Sequence, residues 1–153
     1  MGHDYIESDG RFEQFHDMDI WTLRHFLLEE ARSMCLPKQA DQEVVQDLYR
    51  SIEGWDWLGP GVWLGLDLSA FVLGQDERRA LLEQVLDRAA ERIEAFGEEI
   101  PLDYLKLHVD TPVAYHTAAE PNGRLIDAIR RIRRMLLVRP DRGGKAGGAE
   151  SEE

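Results

Sequence analysis

The sequence predicts one α+β domain, or a small α/β one, with about four helices packed on a two- to three-stranded sheet. Three observations carry that expectation. Apolar residues recur at helical spacing in four segments. Two further segments, 62–68 and 102–109, are short, apolar and bounded by Gly or Pro, the mark of strands. The chain has 153 residues, 43% hydrophobic and 31% charged, the size and composition of a single folded unit.

In chain order, residues 1–14 are polar, with a turn signal at Ser8-Asp9-Gly10, and are expected to be a flexible lead-in to a globular domain over 15–138. From Asp19, a suitable N-cap, the residues Ile20, Leu23, Leu27, Ala31 and Met34 predict a first helix that Pro37 closes. Trp21, Phe26 and Leu28 widen its apolar stripe. A shorter helix follows from Asp41 to about Ile52, with Val44, Val45 and Leu48 inward. Gly59-Pro60-Gly61 is a turn, and Val62 to Leu68 reads as a strand. Asp76 opens the longest helix, whose stripe is Leu82, Val85, Leu86, Ala89, Ile93 and Phe96, with Gly97 as the stop. Leu102 to Val109 alternates as a second strand, Leu105, Leu107 and Val109 against Tyr104, Lys106 and His108. After Pro112, Val113 to His116 is a short third strand or an edge. The strand–helix–strand order permits a parallel pair with a right-handed crossover. Pro121-Asn122-Gly123 is a turn, and a last helix from Arg124 to Leu137 turns Leu125, Ile129, Ile132 and Leu136 inward. Residues 139–153 are Gly-rich and polar and are expected to be a disordered tail.

Composition narrows the function classes. Net charge is −12, which disfavours bare nucleic acid and anionic membrane surfaces and suits a basic protein partner. The start, Met1-Gly2-His3-Asp4, has no basic or apolar signal character, and no apolar run reaches the ~20 residues of a bilayer span. The expected compartment is the cytoplasm. One cysteine, Cys35, allows no internal disulfide and reads as a small buried hydrophobe. Arginine far outnumbers lysine, a lean that fits a GC-rich bacterial source. No phosphate loop, nucleophile elbow, EF-hand or zinc-finger spacing occurs, so no cofactor and no metal are expected.

Four groups of residues could carry chemistry. His108 and Asp110 share a face if they lie on a strand, and His116 follows; together they form the alternative reading of a metal- or His/Asp-dependent enzyme. His16, Asp17 and Asp19 precede the first helix, with His25 on it, and the acids there suit capping. Trp55, Trp57 and Trp63 either cover the core or anchor an interface. From Arg124 to Lys145 eight basic and two acidic residues give +6, which leaves −18 for the rest. Arg130, Arg131, Arg133 and Arg134 are expected to pair with Glu83, Asp87, Glu91 and Glu94 of the long helix.

A charge of −12, helices flanking a minimal sheet, and the segments Trp55-Asp56-Trp57 and Gly97-Glu98-Glu99 give the chain a general character that resembles the small acidic immunity proteins with which bacteria neutralise toxins. The resemblance implies a non-catalytic inhibitor that occludes a basic toxin with surface carboxylates. Its partner-binding residues would be Trp55, Asp56, Trp57, Asp67, Glu98 and Glu99. A regulatory or scaffold interaction protein is the alternative.

Overall fold

Helix α1 (Asp17–Ser33) is the centre of the molecule, and α2 (Gln39–Glu53), α4 (Asp76–Glu94) and α6 (Asn122–Leu137) all pack on it. The computed structural model describes residues 3–8, 11–54, 57–59, 62–63, 66–109 and 116–137. The reason for the arrangement lies in α1 itself: Ile20, Leu23, Phe26, Leu27 and Ala31, together with Trp21 and Thr22, are all buried, a face too wide to be covered by one neighbour. Opposite it lie Leu82, Val85, Leu86, Ala89 and Ile93 of α4 and Leu125, Ala128, Ile129, Ile132 and Leu136 of α6. Val45, Leu48 and Ile52 of α2 close the third side.

The helix ends are tied down by side chains. His16 caps α1 by accepting the Met18 N–H at 3.3 Å, so the helix starts two residues before Asp19. Arg24 donates to the carbonyls of Ile52 and Glu53 at 3.2 and 2.8 Å, satisfying the exposed end of α2. Gln42 bonds both the Leu36 N–H and the Met34 carbonyl, which fixes the α1–α2 connection.

The fold is therefore helix-dominated, with six helices among the described residues, and the expectation of about four helices on a sheet is corrected. Most of the buried apolar side chains stand on helices, so helix-on-helix packing makes the core. Strands are short and divided among three small sheets. The segment expected as a flexible lead-in forms a hairpin, β1 (His3–Ser8) antiparallel to β2 (Arg11–His16), and buries Ile6 and Phe15. The run 62–68 is not one strand: β4 (Val62–Trp63) pairs with β3 (Trp57–Gly59), β5 (Leu66–Asp67) pairs parallel with β1, and a short helix α3 (Leu68–Val72) begins at Leu68. The one parallel pair among the described strands is thus β1–β5, not 62–68 with 102–109.

The expected second strand, 102–109, is helix α5 (Leu102–His108). Leu105 and Val109 are buried, while Leu107 is 77% exposed. A buried pair four apart with an exposed residue between them has the helical period, and Leu107 made the alternation look real. Between α4 and α6, β6 (Glu99–Ile100) and β7 (Glu120–Pro121) pair antiparallel. Residues 113–115 of the expected third strand, and the tail 139–153, lie outside the described residues. Cys35 is exposed, against the expectation of a buried thiol.

Candidate functional site

The acidic edge of the molecule starts where α4 stops. Gly97 takes φ +99°, a conformation that glycine adopts without a side-chain clash, and turns the chain out of the helix. Asn122, at the start of α6, secures the turn: its amide donates to the Ile93 carbonyl at 2.9 Å and to the Gly97 carbonyl, and its backbone N–H donates to the Glu98 carbonyl at 3.0 Å. Ile100 is buried, and the two residues ahead of it, Glu98 and Glu99, are exposed. Glu94 on the last turn of α4 and Asp103 on the first turn of α5 are exposed as well. Among the described residues no cation lies within ion-pair distance of these four carboxylates.

The arginines, by contrast, are largely taken up inside the fold. Arg131 donates to Glu13 at 2.9 Å and to the Gln14 carbonyl at 2.7 Å, and lies over the Phe15 ring. Arg133 pairs with Asp87. Of the expected pairs between α6 and the acids of α4, this is the one found among the described residues; Glu83, Glu91 and Glu94 take no partner from α6. Arg88 and Arg92 both hold Glu30.

Two other polar groupings are buried. Asp19 and Glu120 meet where α1 and α6 begin, with side chains 13% and 11% exposed, and Arg124 stands 3.1 Å from Asp19 and 3.9 Å from Glu120. Burial, and then the hydrogen bond and negative charge of Asp19, push the Glu120 carboxyl up to about 8, so near neutrality it keeps its proton and donates it in a hydrogen bond to Asp19. Asp19, expected as a cap, is instead one half of this pair. On the other flank of α1, His25 Nε2 lies 3.1 Å from the Tyr104 hydroxyl, inside an aromatic cluster with Phe26, Phe96 and His108. Burial lowers the His25 pKa and raises that of Tyr104.

The sequence-predicted site residues fare unevenly. Trp55 and Asp56 lie outside the described residues, as does Asp110. The backbone of Trp57 is in register with Trp63, and that of Asp67 with Glu7. Glu98 and Glu99 are placed together on the exposed edge. His108 is exposed on a helix against the Tyr104 ring, and His116 is buried, with its pKa lowered by that burial and its Nε2 without a hydrogen-bond partner among the described residues. Among the described residues no three His, Cys, Asp or Glu side chains group to hold a metal. Sequence reasoning missed Glu120 and Glu30. Glu30 had a visible signal: it is an acid on the apolar stripe between Leu27 and Met34. Glu120 had none, because only the tertiary meeting of two helix starts buries it.

No family model, curated protein or solved structure matches this chain. No helix of the described residues is long and apolar enough to cross a membrane.

Proposed function

We propose that this chain is a non-catalytic protein-binding domain that inhibits a basic partner, as immunity proteins inhibit toxins. One observation carries the reading: Glu94, Glu98, Glu99 and Asp103 stand exposed, with no ion-pair partner among the described residues, within ten residues of chain on a molecule of net charge −12. Carboxylates that a fold does not neutralise are free to meet a partner's cations. The buried clamp at Asn122 supports the same reading, because it fixes the direction in which Glu98 and Glu99 project and lowers the ordering cost of binding. The tryptophan segment around Trp55, Asp56 and Trp57 would supply aromatic anchors.

The test is kinetic. A basic partner captured from host lysate on the immobilised full chain, identified and purified, is passed over the chain across a salt series. Association should slow roughly tenfold or more between 0.01 and 0.5 M salt, because screening removes the steering field. The double variant Glu98→Lys/Glu99→Lys should slow association at low salt and flatten the salt series. A rate that ignores salt, or that the double variant leaves unchanged, overturns the reading.

A further inference from the structure

The cleft beside Glu30 has a different character from the acidic edge. It is an open cleft of about 640 Å³ lined by Glu30, Gln84, Arg88, Glu91 and Arg92. Gln84, Arg88 and Arg92 are spaced four apart along α4 and so line one face of it. Glu30 reaches in from α1 with its side chain only 5% exposed. Its two oxygens are divided between the arginines: Arg88 Nε donates to Oε1 at 3.3 Å and Arg92 Nε to Oε2 at 2.5 Å. One buried carboxylate thus grips the inner edge of two guanidiniums and holds them side by side.

The outer edges are unoccupied. The Nη nitrogens of Arg88 and Arg92 have no hydrogen-bond partner among the described residues, and the two side chains are 41% and 44% exposed. Arginine presents its donors as a planar fork, the geometry that matches two oxygens of one anion. Two such forks, preset by Glu30 and flanked by the Gln84 amide, converge on one cleft.

We propose that this cleft binds a phosphate group, free or carried as a monoester, between the Nη edges of Arg88 and Arg92. Glu30 is the positioning residue: it fixes both forks without touching the ligand. The two arginines bring two positive charges, and Glu30 and Glu91 offset them, so selectivity comes from directed donors rather than from net charge. Affinity in the millimolar range is expected for such a half-exposed site.

The experiment is amide NMR on the full chain, titrated with inorganic phosphate in one arm and phenyl phosphate in the other, at ionic strength held constant with sodium chloride. Saturable shifts confined to residues near Glu30 and 84–92 are expected. Saturation in both arms identifies the phosphate group itself as the ligand; saturation with phenyl phosphate alone identifies a monoester. The deciding variant is Arg88→Lys/Arg92→Lys, which keeps both charges beside Glu30, and therefore the ion pairs that hold the fold, but removes both forks. It should bind at least tenfold more weakly, with circular dichroism unchanged. Arg130→Gln, an exposed arginine elsewhere, should bind as the parent does. No saturable shift in either arm overturns the proposal. Equal affinity in the lysine variant also overturns it, and would mark an adventitious ion only.

Discussion

The α4–α6 face and the joint where α1 and α6 begin are both buried, yet they are built from opposite materials. The first has an apolar centre: Leu86, Ala89 and Ile93 of α4 are sealed beside Leu125 and Ile129 of α6. The second contains Asp19, Thr22, Glu120 and Asn122, each with a buried oxygen that has no hydrogen-bond partner among the described residues. Apolar contact is non-directional and indifferent to pH, so the first region should resist changes of solvent. A buried carboxyl pair is stable in only one protonation state, so the second should respond to pH. The comparison teaches that burial alone does not say what a region contributes: one holds the molecule together, and the other sets the conditions under which it holds.

The largest expected effect breaks the first region. Leu86→Ala or Ile93→Ala should each cost about 2–5 kcal/mol, the range for removing a fully buried aliphatic side chain and leaving a cavity. Urea denaturation measures it. A loss under about 0.5 kcal/mol, typical of surface positions, would show that the α4 stripe is not core.

Next is the clamp that joins the two regions. Asn122→Ala takes the side-chain donor from the Gly97 carbonyl and leaves the Ile93 carbonyl with the Phe96 N–H at 3.2 Å, and should cost about 1–3 kcal/mol. Backbone hydrogen exchange should quicken first in the last turn of α4. Exchange that quickens uniformly would mean the clamp is not local.

The pH dependence carries a sign. Glu120 holds its proton up to about 8 in the folded chain, against 4.5 as the ordinary value. Its contribution is therefore full below about 4.5 and is lost as pH rises toward 8, because the unfolded chain releases that proton earlier. His25 and His116 act in the opposite direction: burial lowers their folded pKa values below 6.5, so their contribution is present above that pH and is lost as it falls. Melting temperature should pass through a maximum between the two limbs. Glu120→Gln, which resembles the protonated acid, should flatten the alkaline limb and leave the acid limb alone. An alkaline limb that survives the substitution would remove the Glu120 proton from the account.

The smallest effect is expected at the acidic edge. Glu98→Lys/Glu99→Lys should change stability by no more than about 0.5 kcal/mol, since both side chains are exposed. A larger loss would make the edge structural and weaken the case for partner binding.

Much of this was legible in the chain. The stripes of α1, α4 and α6 repeat at the helical period, and Gly97 ends α4, because local spacing and one glycine suffice to encode a helix and its stop. The exposed Glu98 and Glu99 were legible for the same reason, lying just past that stop. Segment 102–109 misled because Leu107 completes an alternation that only burial contradicts. The N-terminal hairpin was hidden because residues 1–14 look polar, and its parallel partner, Leu66–Asp67, lies some sixty residues away in sequence. What the sequence determined by itself is the four longer helices, α1, α2, α4 and α6, the charge and the acidic edge, all properties of neighbours along the chain. What only the tertiary structure decided is which polar groups lose water together: Asp19 with Glu120, and Glu30 with Arg88 and Arg92. Those pairs join residues 101, 58 and 62 positions apart, and solvent exclusion, which alone gives them their chemistry, exists only once the helices have packed.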